Sequence, residues 1–202
     1  MRQTILWITG WAMPAGQLRS SAAEALPDFL HEEIPPAPGA LAVASAAPAS
    51  LLGGFSFGAH LLLRADDPRP RLLLAPFADL KKEAGLGGAV ATTQLRRQLR
   101  WIQRDPAAAI ADFRARIGAD PAPPGEKHDL PSLVWGLQQM LLAGRRPAAL
   151  PAGSLALAGA RDPLLDTALL ARSIPGLRIV DAGHRMHPLL AEMARLRQIG
   201  GR

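Results

Sequence analysis

The sequence predicts an α/β protein, a mostly parallel sheet flanked by helices with a helical lid inserted into it. Three observations carry that reading. Short apolar runs alternate with helical patterns at both ends of the chain. Between Ala78 and Pro147 the alternation stops and only helical patterns occur. Several residues able to do chemistry directly follow the apolar runs, where ligands bind in open parallel sheets.

The elements follow in order. "TILWITG" (4–10) is a β-branched apolar run ending at a glycine, which predicts a buried strand. "PAGQLRSSAAEALPDFL" has helical spacing, with Leu18, Ala22, Ala25 and Leu26 able to share a face. "EEIPP" predicts a short strand stopped by proline, and "GALAVASAA" fits strand and helix equally. "SLLGGF" predicts a strand and "GAHLLLRAD" the start of a helix. "PRLLLAPFA", "GSLALAGA" and "GLRIVDAG" predict three more strands. Helical patterns follow the last two, in "PLLDTALLARSI" and "HPLLAEMARLRQI". The intervening stretch contains "TTQLRRQLRWIQRD", "PAAAIADFRARIG" and "LPSLVWGLQQMLLAG", separated by joints such as the proline-rich "DPAPPGEKHD". Residues 1–77 and 148–202 are therefore expected to form the core, and 78–147 the lid.

Composition narrows the function classes. With 202 residues the chain is long enough for one domain with a real core. It has no cysteine, which excludes disulfides and thiolate chemistry and fits a cytoplasmic protein. The stretch from Ile34 to Leu63 carries no Asp, Glu, Lys or Arg, yet Pro35, Pro36, Pro38 and Pro48 interrupt it. A buried core segment, and not a membrane span, is expected there. "TILWI" is too short an apolar run for a signal peptide. The net charge of +6 invites an anionic partner, although an arginine-rich composition accounts for it equally. No nucleic-acid module is recognisable, and aromatic residues are only 4% of the chain, so nucleic acid is not the expected partner.

The chemistry centres on "GFSFG", where Ser56 lies between Gly54 and Gly58 at a junction from strand to helix. A serine on such a tight turn sits in a strained backbone conformation, and small neighbours let the adjoining chain pass close by. Ser56 also suits a helix N-cap, so the motif needs partners to acquire meaning. Asp162 follows "LALAGAR" and His184 follows "IVDAG". Asp79, after "LLLAPFA", is the rival to Asp162, because it too directly follows a predicted strand. Asp162 precedes a proline and a helix and can be read as a cap, while Asp166 is a lesser candidate one turn on. His187 is expected at the surface or behind the site, and His60 packed behind the serine turn. His31 and His128 are assigned no role. No metal site and no cofactor are expected.

The order Ser56, Asp162, His184, with Gly-x-Ser-x-Gly between strand and helix, resembles the α/β-hydrolases over nearly the whole chain. The resemblance implies a nucleophile at Ser56, a general base at His184 and an orienting acid at Asp162. It also implies an oxyanion hole from the backbone N–H groups of Trp11 and Phe57. Within that superfamily, Gly10-Trp11, "FSFGAHLLL" and "RWIQRDPAAAIADFRARIG" resemble the pimeloyl-[acyl-carrier-protein] methyl ester esterases of biotin synthesis. The early half of the sheet is abbreviated, and the chain is shorter than typical members. A serine carboxylesterase is implied, acting on a short acyl ester that an acyl carrier protein presents. A generalist short-chain esterase and a non-catalytic binding scaffold are the other readings. Arg96, Arg100 and Arg104 recur every four residues, so one helical face carries all three, either as a solvated face or as a dock for the acidic carrier. Leu95, Leu99, Trp101, Ile102, Phe113, Trp135, Leu137, Met140 and Leu141 are the candidates for an apolar acyl pocket or for packing the lid.

Overall fold

The computed structural model describes residues 2–119, 126–145, 147 and 149–200. Much of the proline-rich joint at 120–129, and the lid boundary at 148, lie outside the described residues.

Six strands form one sheet: β1 (Thr4–Ile8), β2 (Leu30–Ile34), β3 (Leu51–Phe55), β4 (Arg71–Leu74), β5 (Leu155–Gly159) and β6 (Leu177–Val180). Their order is β2-β1-β3-β4-β5-β6, and every neighbouring pair is parallel. Parallel pairing requires crossovers, and the helices supply them. α1 (Gln17–Ala25) links β1 to β2, α2 (Ala40–Ala46) links β2 to β3, and α3 (Phe57–Leu63) links β3 to β4. α7 (Thr167–Ser173) links β5 to β6, and α8 (Met186–Gly200) follows β6. The alanine-rich segment that fitted strand and helix equally is thus helical, as α2.

Central strands covered on both faces are apolar throughout, whereas edge strands tolerate polar residues. Leu72, Leu73 and Leu74 of β4 are wholly buried, and every residue of β3 is buried. The edges β2 ("LHEEI") and β6 ("LRIV") are partly exposed. α1 and α8 pack together, and α8 reaches β4 and β5; α2 and α3 contact β1.

Among the described residues, three α-helices stand between β4 and β5: α4 (Thr92–Arg104), α5 (Pro106–Arg116) and α6 (Leu130–Leu141). Asp105 and Asp129 cap α5 and α6 by accepting from the Ala108 and Ser132 amides, with Pro106 and Pro131 in the first turns. α4 turns Leu95, Gln98 and Ile102 inward, and the buried Gln98 donates to Ala109 O of α5 at 2.8 Å. Arg96, Arg100 and Arg104 are exposed. Among the described residues, no helix is long and apolar enough to cross a membrane.

The chain leaves β1 for β2 on one side and then places β3 on the other. This reversal opens a crevice beyond the carboxyl ends of β1 and β3, the general position for ligands in open α/β sheets. Gly10 to Met13 follow β1 there, and Ser56 follows β3.

Candidate active site

Ser56 stands on a sharp turn from β3 into α3, with φ 53° and ψ −112°. A non-glycine residue with positive φ is strained, and the two flanking glycines explain how this turn closes. A methyl carbon on Gly58 would lie 2.0 Å from Ile8 O, and one on Gly54 would lie 2.7 Å from Ala59 Cα. Both positions are too close to neighbouring backbone for any side chain. Ser56 makes no side-chain cap bond to α3, so its hydroxyl serves something other than the helix start.

That hydroxyl meets His184. Ser56 Oγ and His184 Nε2 are 2.9 Å apart, and His184 Nδ1 is 2.6 Å from Asp162 Oδ2. All three residues are buried, and Asp162 Oδ1 also accepts from the Leu164 amide at 2.9 Å. Since Nδ1–H donates to the carboxylate, a neutral imidazole presents its Nε2 lone pair to the serine hydroxyl. The ring packs on Phe55, with centroids 5.4 Å apart.

The other candidates lie elsewhere. Asp79 is buried, but its carboxylate accepts from the Lys81 and Gly144 amides at 2.7 Å each and pairs with Lys81 Nζ at 2.8 Å. Asp166 caps α7 through the Leu169 amide. His60 is buried, stacks on Phe77 with centroids 4.5 Å apart, and shares a 2.7 Å hydrogen bond between Nδ1 and Phe77 O. Burial pushes its pKa down to about 4, against the Phe77 hydrogen bond that favours the charged form. His187 is exposed and lies 3.0 Å from Ser21 Oγ. His31 bridges Trp7 Nε1 and Leu26 O, and His128 pairs with Glu126.

Phe57 is the first residue of α3, where backbone N–H groups have no acceptor within the helix. Trp11 follows Gly10 on the β1 loop, and its neighbour Ala12 holds φ 55°. A narrow cleft of about 60 Å³ opens on His184, bounded by Trp11, Met13, Phe55, Phe113 and Met186. A wider one, about 350 Å³, shares the 11–13 loop as a wall and reaches Glu33, Lys127 and Ser132. Of the nine expected acyl-pocket residues, only Phe113 lines the cleft at His184. Leu95, Ile102, Leu137 and Met140 are buried as packing for the inserted helices. Met13 and Met186 were not foreseen as lining, although each lies within two residues of a foreseen one, Trp11 or His184. Arg114, Arg185 and His187 are the remaining basic groups on the cleft wall, and no acid lines it among the described residues. No group of residues suited to hold a metal ion occurs among them either.

No protein-family model and no curated protein sequence matches the chain. Solved structures do. The Bottromycin epimerase BotH, in complex with Bottromycin A2, aligns over all of this chain and 90% of its own at 18% identity, with a TM-score of 0.64. A lipase-esterase related protein from Clostridium acetobutylicum aligns over 99% and 94% at 15% identity, with a TM-score of 0.64. The N-acyl homoserine lactonase AidH, complexed with N-butanoyl homoserine, aligns over 98% and 88% at 16% identity, with a TM-score of 0.57. Likeness at this identity speaks to architecture, which hosts many chemistries. By its parallel sheet, its inserted helices and these alignments, the chain has the α/β-hydrolase fold.

Proposed function

We propose that this protein is a serine hydrolase that cleaves a short acyl ester. The observation that supports it best is the continuous hydrogen-bonded chain from Ser56 through His184 to Asp162. In this reading Ser56 Oγ attacks the ester carbonyl carbon while His184 Nε2 takes its proton. The carbonyl electrons move onto oxygen, and the oxyanion accepts from the Trp11 and Phe57 amides. Asp162 holds the Nδ1–H and stabilises the imidazolium. The intermediate collapses, His184 returns the proton to the departing alcohol, and an acyl ester remains on Ser56. Water, deprotonated by His184, attacks that ester. Collapse of the second intermediate releases the acid, and the proton returns to Ser56.

The neighbours named as a lactonase and as a lipase-esterase related protein agree with this chemistry; the neighbour named as an epimerase shows that the fold does not compel it. The narrow cleft favours a small acyl group. The sequence resemblance extends the proposal to a pimeloyl methyl ester on acyl carrier protein, in the cytoplasm. A generalist short-chain esterase is the second reading, favoured by the same narrow cleft.

Turnover of a p-nitrophenyl ester by the wild type and Ser56→Ala tests the reaction class. A loss of about 10⁴-fold is expected. Near-normal turnover in the variant removes Ser56 as nucleophile. Rescue of a biotin auxotroph by the wild-type gene, and not by the Ser56→Ala gene, tests the substrate.

A further inference from the structure

The two residues assigned as oxyanion donors share a support. Gly136, in α6, sits against both of their side chains: a methyl carbon there would lie 2.7 Å from Trp11 Cδ1 and 3.2 Å from Phe57 Cε1. Trp11 Nε1–H donates to Leu133 O, one turn earlier in α6, at 2.9 Å. Phe57 meets Trp135 of the same helix with ring centroids 5.7 Å apart. From α5, Phe113 meets the Trp11 ring edge-on at 4.9 Å. The inserted helices therefore rest on the side chains of the two residues assigned as oxyanion donors.

The loop they hold is strained. Ala12, next to Trp11, holds φ 55°, a conformation that costs energy for a residue with a Cβ and persists only where surroundings over-determine it. Beside it, the buried Trp11 side chain is held by its hydrogen bond to Leu133 O, by the Phe113 ring and by its contact with Gly136.

We propose that Trp11 and Gly136 are positioning residues, through which α6 sets the geometry of the oxyanion hole. The proposal rests on the hydrolase reading above. Gly136 is required because only a residue without a Cβ lets α6 settle onto both donors at once. The hole is complete only with α6 seated, so the inserted helices shape the transition state as well as the acyl site. A displacement of about 1 Å at such donors costs up to about a hundredfold in rate, and losing one donor outright costs about 10²–10³.

The test uses the full chain with Trp11→Phe and Gly136→Ala. The first removes the Nε1 donor and keeps an aromatic ring. The second removes no polar group and replaces glycine with the best helix former, yet presses a methyl carbon against Trp11 and Phe57. Rates on p-nitrophenyl butyrate are normalised to serine titrated by a fluorophosphonate, so unfolded protein does not count. Inhibition by n-butylboronic acid is measured alongside, because its tetrahedral serine adduct places an oxygen where the oxyanion would be. Both variants are expected to lose about ten- to a hundredfold in kcat with KM changed less than about threefold, and to weaken the boronic acid in proportion. A merely structural role lowers the titre or the melting temperature and leaves kcat per titrated serine and boronate affinity unchanged; that result in both variants overturns the proposal. If the wild type neither turns over the ester nor binds the boronic acid, the hydrolase reading itself has failed and the proposal falls with it.

Discussion

Gly58 lies so close under β1 that a methyl carbon on it would stand 2.0 Å from the Ile8 carbonyl oxygen. Backbone on both sides of this contact belongs to the core, so neither can yield cheaply. The contact brings the start of α3, and the Phe57 amide with it, beside the end of β1. It thereby couples the serine turn to the loop that carries Trp11.

Gly58→Ala is accordingly expected to damage both fold and chemistry. Overpacking of this kind costs about 1–3 kcal/mol, and the surviving folded protein should show reduced Ser56 labelling by a fluorophosphonate. A thermal melt and a labelling rate, taken together, check it. Wild-type values for both would mean that the turn is more adaptable than its packing indicates.

The two buried aspartates should separate cleanly. Asp162→Asn keeps the shape but leaves His184 Nδ1 facing an amide, and a loss of about 10⁴-fold in kcat is expected. Asp79→Asn breaks the ion pair with Lys81 and should lower the melting temperature, with kcat changed by no more than a few fold. Ester kinetics and melts on both variants decide the assignment. The reverse ranking would move the acid to the end of β4.

His60 gives a pH prediction whose sign follows from its burial. Its pKa is about 4 in the folded protein against 6.5 for an ordinary histidine. Between those values the unfolded chain binds the extra proton, so the stability this group contributes is fully present above about pH 6.5 and falls as pH drops toward 4. The full effect is about 3 kcal/mol, with roughly 2 kcal/mol of it lost by pH 5. His60→Gln keeps a donor for Phe77 O and does not titrate. Urea midpoints at pH 7 and pH 5 should therefore differ more for the wild type than for this variant; equal differences would show that His60 is not held neutral.

The strands were legible in the sequence wherever burial made them uniformly apolar. β3 and β5 are such cases, and so is β4 after Arg71, because central parallel strands carry no polar face. β2 was read only from Glu32, since Leu30 and His31 at the sheet edge look like the end of the preceding loop. α2 was undecidable because alanine at most positions leaves no period to read. That Ser56, Asp162 and His184 come to the same end of the sheet was legible, since each follows a strand and parallel strands end on one side. The cleft wall was not. Met13, Arg114 and Met186 arrive from three separate segments, and nothing local to any of them shows that they converge. Helical periodicity likewise marks Leu95 and Ile102 as inward-facing without saying whether inward means core or cleft.

The exposed arginines of α4 carry the last prediction. Arg96, Arg100 and Arg104 face solvent, and Arg97 adds a fourth exposed cation beside them, over the Trp101 ring. If this face docks an acidic carrier protein, changing the three foreseen arginines to glutamate should raise KM for a carrier-linked ester by an order of magnitude or more. A small free ester should be hydrolysed almost as before, because the three side chains lie outside the cleft at His184. Added salt should weaken the carrier reaction of the wild type and leave the free ester alone, since exposed charges are screened over about 10 Å at 0.1 M. A solvated face with no partner predicts the same response for both substrates. Measuring kcat/KM on both esters, for wild type and triple variant at low and high salt, separates the two. Equal losses on both substrates would place the damage in the packing of α4 against α5 and α6, and docking would then have no support.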